Sequence, residues 1–127
     1  MSDLRCLVLE DDSNRIKEFN KRLRDTRICF TSYVDTAELA IQKLKESDYD
    51  IIFLDHDLGG ETYVDTNNKN TGSEVARWIS KNPIKGLVIV HSLNKPAADG
   101  MVSLIPGAIH FPFVWTEENF KRINLPC

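Results

Sequence analysis

The sequence lacks the features of secreted and membrane-spanning proteins. No apolar run approaches the roughly 18 residues of a membrane span, and no signal peptide is visible. The three cysteines, Cys6, Cys29 and Cys127, are odd in number and show no CxxC spacing, which favours reduced thiols over a disulfide framework. We therefore expect a cytoplasmic protein with no membrane partner.

An excess of basic charge is also missing. The formal net charge is −3, and the densest basic stretch, Lys17 to Arg27, is mixed with Glu18 and Asp25. This mixture is more typical of a solvated helix face than of a stripe that binds nucleic-acid backbones. Direct binding of duplex nucleic acid is therefore not expected.

Repeats, linkers and low-complexity segments are absent as well, and 127 residues suit one domain spanning residues 1–127. Apolar runs predict five strands, at Leu4–Leu9, Ile28–Val34, Asp50–Leu54, Gly86–Val90 and Ala108–Phe111. Helical patterns alternate with them, at Ser13–Arg24, from Asp35 or Thr36 to Leu44, from Thr71 to Ile79, at Pro96–Ile105 and at Thr116–Ile123. The alternation predicts an α/β, flavodoxin-like three-layer sandwich whose five-stranded parallel sheet has the order 2-1-3-4-5.

Polar side chains follow three of the predicted strands. Ligands bind outside the carboxyl ends of such sheets, so these side chains are expected to converge at one edge. The three strand ends read Glu10-Asp11-Asp12, Asp55-His56-Asp57 and His91-Ser92-Leu93-Asn94.

The carboxylates at this edge predict a cation site. Two like charges about 4 Å apart repel by roughly 4 kcal/mol at an effective dielectric near 20. Either some carboxyl groups stay protonated, or Mg²⁺ or Mn²⁺ binds them. The predicted ligands are Glu10, Asp11, Asp55 and Asp57. A structural alternative is that Asp11 or Asp12 only caps the first helix.

The histidines at the same edge suggest acid and base chemistry. Imidazole titrates near neutral pH, so His56 and His91 could protonate a leaving oxygen and activate a water. Alternatively, His56 turns away from the pocket, since neighbours on a strand alternate faces, or one histidine binds the metal. His110 is expected to be a wall residue.

Other groups near these strand ends suit a phosphate or a sugar. Ser92 and Asn94 offer a hydroxyl and an amide, although either could be only a turn residue. Backbone N–H groups at Gly59, Thr71 and Gly72 could bind an anion, with Thr71-Gly72 at a helix N-terminus. The long polar segment from His56 to Asn70 is predicted to be a lid or binding loop.

The pattern resembles the receiver domain of two-component response regulators. The resemblance implies that Glu10 and Asp11 are the metal-binding acidic pair, Asp55 the phosphoacceptor and Asp57 a metal ligand. Two positions depart from a receiver. His91 stands where a receiver has Ser or Thr, and Phe111 precedes Pro112 where a receiver has Lys. The missing lysine argues against ordinary phosphorelay signalling.

A closer resemblance is to the cyclic-phosphate-processing receiver-like family, from about Leu4 to Ile105. Glu10 stands where the family more usually has Asp. The matching motifs are the acidic pair, Leu54-Asp55-His56-Asp57-Leu58-Gly59, Thr71-Gly72 with Val75 and Trp78-Ile79, and His91-Ser92-Leu93-Asn94. The resemblance implies activity on a cyclic phosphate.

These observations predict a metal-dependent phosphoesterase-like enzyme that opens the cyclic phosphate of a nucleotide or an RNA-repair by-product. Its partner would be a small phosphorylated, cyclic-nucleotide-like ligand. Asp55, His56 and His91 would be catalytic, and Ser92, Asn94, Gly59, Thr71 and Gly72 would bind substrate. The alternative function is a non-catalytic, stand-alone receiver-like module that is phosphorylated at Asp55 or senses a ligand.

Overall fold

The structure of the protein is a computed structural model, which describes residues 4–23, 28–56, 58, 68–92 and 94–111. Strands and helices alternate along these residues. The strands are β1 (Leu4–Leu9), β2 (Ile28–Val34), β3 (Ile51–Leu54), β4 (Leu87–Val90) and β5 (Ile109–His110). The helices are α1 (Ser13–Leu23), α2 (Ala37–Glu46), α3 (Gly72–Lys81) and α4 (Lys95–Leu104).

The five strands form one parallel sheet in the order β2-β1-β3-β4-β5. The predicted fold class and strand order are therefore confirmed. The strand order places the switch point between β1 and β3, and open α/β sheets bind their ligands at the carboxyl ends of the strands beside such a point.

Successive side chains of a strand point to opposite faces of the sheet, and they pack in two cores, one on each face. Leu7, Leu9, Ile52 and Leu54 pack against buried residues of α2, α3 and α4. On the opposite face of the sheet, Phe19 and Leu23 of α1 pack against the intervening strand residues, which are Cys6, Val8, Ile51 and Phe53. The sheet is thus the middle of three layers, and both faces of β1 and β3 are apolar because both are covered.

Helix starts follow the local capping residues. Thr36 and Thr71 accept hydrogen bonds from the backbone N–H groups three residues later, which fixes the starts of α2 and α3. Helix α4 begins at Lys95, one residue before the predicted start, because the Asn94 side chain accepts from the Ala97 N–H and is the N-cap. The predicted terminal helix at 116–123 lies outside the described residues.

Three strands are shorter than the sequence pattern predicts. β3 begins at Ile51 rather than Asp50, β4 at Leu87 rather than Gly86, and β5 keeps only Ile109–His110. β5 pairs only with Ile89 and Val90 of β4, so its partner limits its length. Among the described residues, no helix is long and apolar enough to cross a membrane.

Candidate functional site

Three adjacent strand ends bring two carboxylates and an imidazole together. Glu10, Asp55 and His91 follow β1, β3 and β4, and each is at most 2% exposed. One ligand atom from each residue lies within 4.8 Å of the others. The backbone fixes this arrangement, since the N–H groups of Asp55 and His91 donate to carbonyl oxygens of neighbouring strands at 3.2 and 3.0 Å.

Glu10 is held as an ionised hydrogen-bond acceptor. Its Oε1 lies 3.1 Å from His91 Nε2, and its Oε2 accepts from the backbone N–H groups of Asp11 and Asp12 at 3.0 and 3.2 Å. Burial raises the pKa of Glu10, but the hydrogen bond from His91, the hydrogen bond from the Asp12 N–H and the Arg15 charge outweigh the effect of burial. The resulting pKa is about 2.

Asp55 has the opposite electrostatic character. Burial and the negative charge of Glu10 raise the pKa of Asp55 to about 8, although Arg15 opposes the rise. Among the described residues, none donates a hydrogen bond to the buried Oδ2 of Asp55. In the absence of a bound cation, this carboxyl group is therefore mostly protonated at neutral pH.

His91 is buried in an aromatic surround. Its ring meets Phe19 edge to face at a centroid distance of 5.1 Å and Phe53 at 6.3 Å. Burial lowers the pKa of His91, and the hydrogen bond and charge of Glu10 oppose that change. The imidazole is therefore neutral at pH 7, and contact with an ionised Glu10 assigns its proton to Nε2.

Arg15 is a member of the site that the sequence analysis missed. Its Nη1 lies 3.6 Å from Glu10 Oε1 and 3.5 Å from Asp55 Oδ2. Asp12 caps α1 by accepting the N–H groups of Asn14 and Arg15 at 2.9 and 3.1 Å, which confirms its capping alternative. The signal in the sequence that could have identified Arg15 is its place in the first turn of α1. The first turn of a helix that follows β1 lies at the same edge of the sheet as the end of β1.

His56 and Asp11 lie outside the compact group of three. The buried His56 ring points to α3, where its Nδ1 lies 2.8 Å from Ser73 Oγ. Asp11 is half-buried and uses its backbone N–H to hold Glu10. In the described part of the chain, the group of potential ligand atoms within 4.8 Å includes neither residue. Catalysis by His56 and metal binding by Asp11 remain predictions.

Residues proposed for substrate binding mostly make local hydrogen bonds. Ser92 Oγ accepts from the Asn94 N–H at 3.1 Å, and the Asn94 side chain caps α4. Thr71 caps α3, while the Gly72 N–H donates to the His56 carbonyl at 3.2 Å. These bonds order the loops at the sheet edge. The predicted substrate contacts stay predictions, and Asp57 and Gly59 lie outside the described residues.

His110 supports the same edge from β5. Its Nε2 lies 2.9 Å from the Ser92 carbonyl oxygen, and the side chain is half-buried. The ring N–H donates to that carbonyl and holds the segment between β4 and α4. This placement gives His110 a structural contact next to the cluster.

Solved structures share this architecture at low sequence identity. The signal receiver domain of a Luxo repressor protein from Vibrio parahaemolyticus has a TM-score of 0.74 and 22% identity, over 95% of this chain and 86% of that chain. A CheY-like response regulator receiver domain from Methylobacillus flagellatus has a TM-score of 0.73 and 16% identity, over 96% of both chains. The response regulator TrrA from Thermotoga maritima, in complex with Mg²⁺ and BeF, has a TM-score of 0.70 and 19% identity, over 94% of both chains. These similarities show the fold.

Sequence comparison identifies the family. No curated protein matches the chain significantly. The family described as the cyclic-phosphate processing receiver domain matches residues 7–106, which include the ends of β1, β3 and β4. The chain therefore belongs to the cyclic-phosphate processing receiver domain family.

Proposed function

We propose that the protein is a metal-dependent phosphoesterase that opens a cyclic phosphate on a small nucleotide-like ligand. The observation that carries the proposal is the His91 imidazole, which is buried beside two carboxylates and hydrogen-bonded to Glu10 at 3.1 Å. Hydrolysis of a cyclic phosphodiester needs a proton acceptor for water and a proton donor for the leaving oxygen. A neutral imidazole bonded to a carboxylate is suited to the first task.

The Glu10–His91 pair would act as the general base. With the Nε2 proton donated to Glu10, the lone pair of His91 is on Nδ1, which would accept a proton from the attacking water. The water oxygen would form a new bond to phosphorus while one ring P–O bond breaks. The ionised Glu10 would stabilise the imidazolium that forms, because opposite charges attract strongly at this short distance in a buried site.

His56 would protonate the leaving oxygen. The general acid would be the imidazolium form of His56, in which Nδ1–H donates to the Ser73 hydroxyl oxygen at 2.8 Å and Nε2–H donates its proton to the leaving oxygen, leaving a neutral imidazole. The product would be a phosphate monoester with a free hydroxyl group. Ser92 and Asn94, buried between β4 and α4, would orient the substrate from the same edge.

The chemistry of the site fits a divalent cation. The potential ligands offer two carboxylates and one imidazole within 4.8 Å, and the unsatisfied Asp55 Oδ2 is an available oxygen ligand. Glu10 and Asp55 would hold Mg²⁺ or Mn²⁺, with Asp11 and Asp57 as further ligands. When bound, the cation would polarise a phosphoryl oxygen and neutralise developing charge.

A metal-dependent substrate screen tests this function. The protein would be incubated with 2′,3′-cyclic nucleotides, 3′,5′-cyclic nucleotides and ADP-ribose cyclic phosphate, with Mn²⁺ or with EDTA, and monoester formation followed by phosphorus NMR. His91→Ala should lower turnover by at least about 100-fold, the usual contribution of a general base. Arg77→Gln, a change at a part-exposed residue of α3, is the control. Turnover that survives His91→Ala would exclude the two-histidine mechanism.

The second candidate is a signalling module that is phosphorylated at Asp55. The observation that favours it is the position of Asp55 at the end of β3 in a fold like that of response regulator receivers. Incubation with acetyl phosphate and Mg²⁺, followed by intact-mass analysis, distinguishes the two candidates. A stable phosphoryl adduct that Asp55→Asn abolishes, with no turnover of any cyclic phosphate, would favour the module.

A further inference from the structure

The Arg15 guanidinium contacts both buried carboxylates of the site. Its Nη1 lies 3.6 Å from Glu10 Oε1 and 3.5 Å from Asp55 Oδ2. The side chain of Arg15 is 30% exposed, whereas those of Glu10 and Asp55 are 0% and 3% exposed. Arg15 therefore contacts the buried carboxylates while part of its side chain remains exposed to solvent.

This contact is looser than a strong arginine–carboxylate pair. Charge-assisted N–H···O bonds are typically about 2.7–2.9 Å long, and both distances here exceed that range. The longer contact agrees with the buried Asp55 Oδ2, to which no described residue donates a hydrogen bond. The guanidinium thus supplies positive charge without saturating the oxygen atoms, and a better ligand can replace it.

A divalent cation and Arg15 compete for the same two oxygens. A divalent cation and a guanidinium a few ångströms apart repel strongly, because a partly buried site screens charge less than water does. The side chain can relieve this repulsion because it is long and part-exposed. The start of α1 stays fixed meanwhile, since the Arg15 backbone N–H donates to Asp12 at 3.1 Å.

A displaced Arg15 would face solvent next to the loaded site. Its guanidinium has five N–H donors in a planar fork, a shape that matches two oxygens of one phosphate group. Anchored in the first turn of α1, it would remain within reach of an anion that approaches the sheet edge. The Arg15 side chain can therefore contact the carboxylates before a cation binds and contact an anion afterwards.

We infer that Arg15 is an exchangeable cation, which balances the charge of Glu10 and contacts Asp55 in the metal-free protein, and which binds the phosphoryl group of the ligand once a divalent cation replaces it. The second half of this inference rests on the proposed function, because it requires a phosphorylated ligand. The first half concerns the chain and a metal ion alone. The two halves can be measured separately.

Metal affinity tests the exchange. Mn²⁺ binding to the full chain would be measured by electron paramagnetic resonance for the wild type, Arg15→Gln, Arg15→Lys and the control Arg77→Gln. Arg77 pairs with Glu74 at 3.1 Å on α3 and has a similar exposure of 36%. Removing the competing charge should tighten Mn²⁺ binding of Arg15→Gln by about tenfold, the equivalent of about 1.4 kcal/mol. Arg15→Lys and the control should remain near the wild type.

Anion affinity tests the second role. Binding of inorganic phosphate to the Mn²⁺-loaded proteins would be measured by calorimetry. Arg15→Gln should bind phosphate at least about tenfold more weakly than the wild type, and Arg15→Lys should fall between them because it keeps the charge but loses the fork. Arg77→Gln should bind phosphate normally. Circular dichroism would check that each variant is folded.

Several outcomes would overturn the inference. Unchanged or weaker Mn²⁺ binding in Arg15→Gln, or no Mn²⁺ binding by any variant, excludes the exchange. Tighter Mn²⁺ binding with unchanged phosphate affinity excludes the phosphoryl role. If both shifts occur but no variant hydrolyses a cyclic phosphate, the inference holds and the proposed hydrolase function fails.

Discussion

The substitution Asp55→Asn tests whether the central carboxyl group is protonated in the metal-free protein. Asp55 is 2% exposed, and a ligand oxygen of Glu10 lies within 4.8 Å of it. Burial and the charge of Glu10 raise its pKa from 3.8 to about 8. Asparagine has nearly the same shape and no charge, so the variant resembles the protonated side chain at every pH.

The expected effect has a definite sign and pH window. Unfolded Asp55 loses its proton near pH 3.8 and folded Asp55 near pH 8, so the folded protein holds an extra proton between these values. The free energy of unfolding then falls by about 1.4 kcal/mol for each unit of rising pH. His91 has the opposite effect up to its unfolded pKa of 6.5, because burial lowers its pKa in the folded protein. The fall is therefore clearest between pH 6.5 and 8, where it should reach about 2 kcal/mol.

Urea denaturation in EDTA, at several pH values from 6.5 to 8, measures the fall. The wild type should lose about 2 kcal/mol across the window, or roughly 5–10 °C in melting temperature, while Asp55→Asn should be nearly flat. Asp99→Asn is the matched control, because Asp99 is exposed and pairs only with Lys95 in the described contacts. If the wild type and Asp55→Asn show parallel pH profiles, Asp55 is ionised and the electrostatic description of the site is wrong.

Three further predictions use other features of the site. Gly72→Ala should destabilise the protein by about 2–4 kcal/mol in urea denaturation, because a Cβ would overlap the Asp55 carbonyl oxygen. The control Gly100→Ala in α4 meets no atom within 4 Å and should stabilise by about 0.5–1 kcal/mol. Mg²⁺ should raise the wild-type melting temperature more at pH 8 than at pH 6, since cation binding needs ionised Asp55, and an equal rise would contradict this. Ser73→Ala should lower any turnover, because it removes the hydroxyl group that orients the His56 ring, and turnover identical to the wild type would exclude that role.

The sequence was most informative where structure depends on local chemistry. The start of α3 was predicted from Thr71-Gly72, and the Thr71 side chain does accept from the Glu74 N–H. The strand order followed from the alternation of strands and helices together with the handedness of crossovers. β5 was predicted too long because strand length depends on pairing, and β4 offers it partners at only two residues.

The candidate site was partly predictable for a geometric reason. Parallel strands end at the same edge, so the spacing of Glu10, Asp55 and His91 along the chain was enough to predict that they converge. The direction of the His56 ring could not be predicted, because it depends on how α3 packs against β3. In the structure the ring points to Ser73 of α3. Arg15 was missed because its reach toward Asp55 depends on how α1 crosses the sheet, which no local pattern specifies.

The two candidate functions differ in what they require of His91. A signalling receiver must keep a phosphoryl group on Asp55 long enough for a partner to respond. Here one ring nitrogen of His91, the proposed base, lies within 4.8 Å of a carboxylate oxygen of Asp55, and Glu10 would stabilise the protonated imidazole. Under the proposed mechanism, the base that would open a cyclic phosphate would also promote hydrolysis of an aspartyl phosphate. If His91 acts as the proposed base, the buried Glu10–His91 pair would therefore favour turnover over a lasting modified state, whichever phosphoryl compound reaches the site.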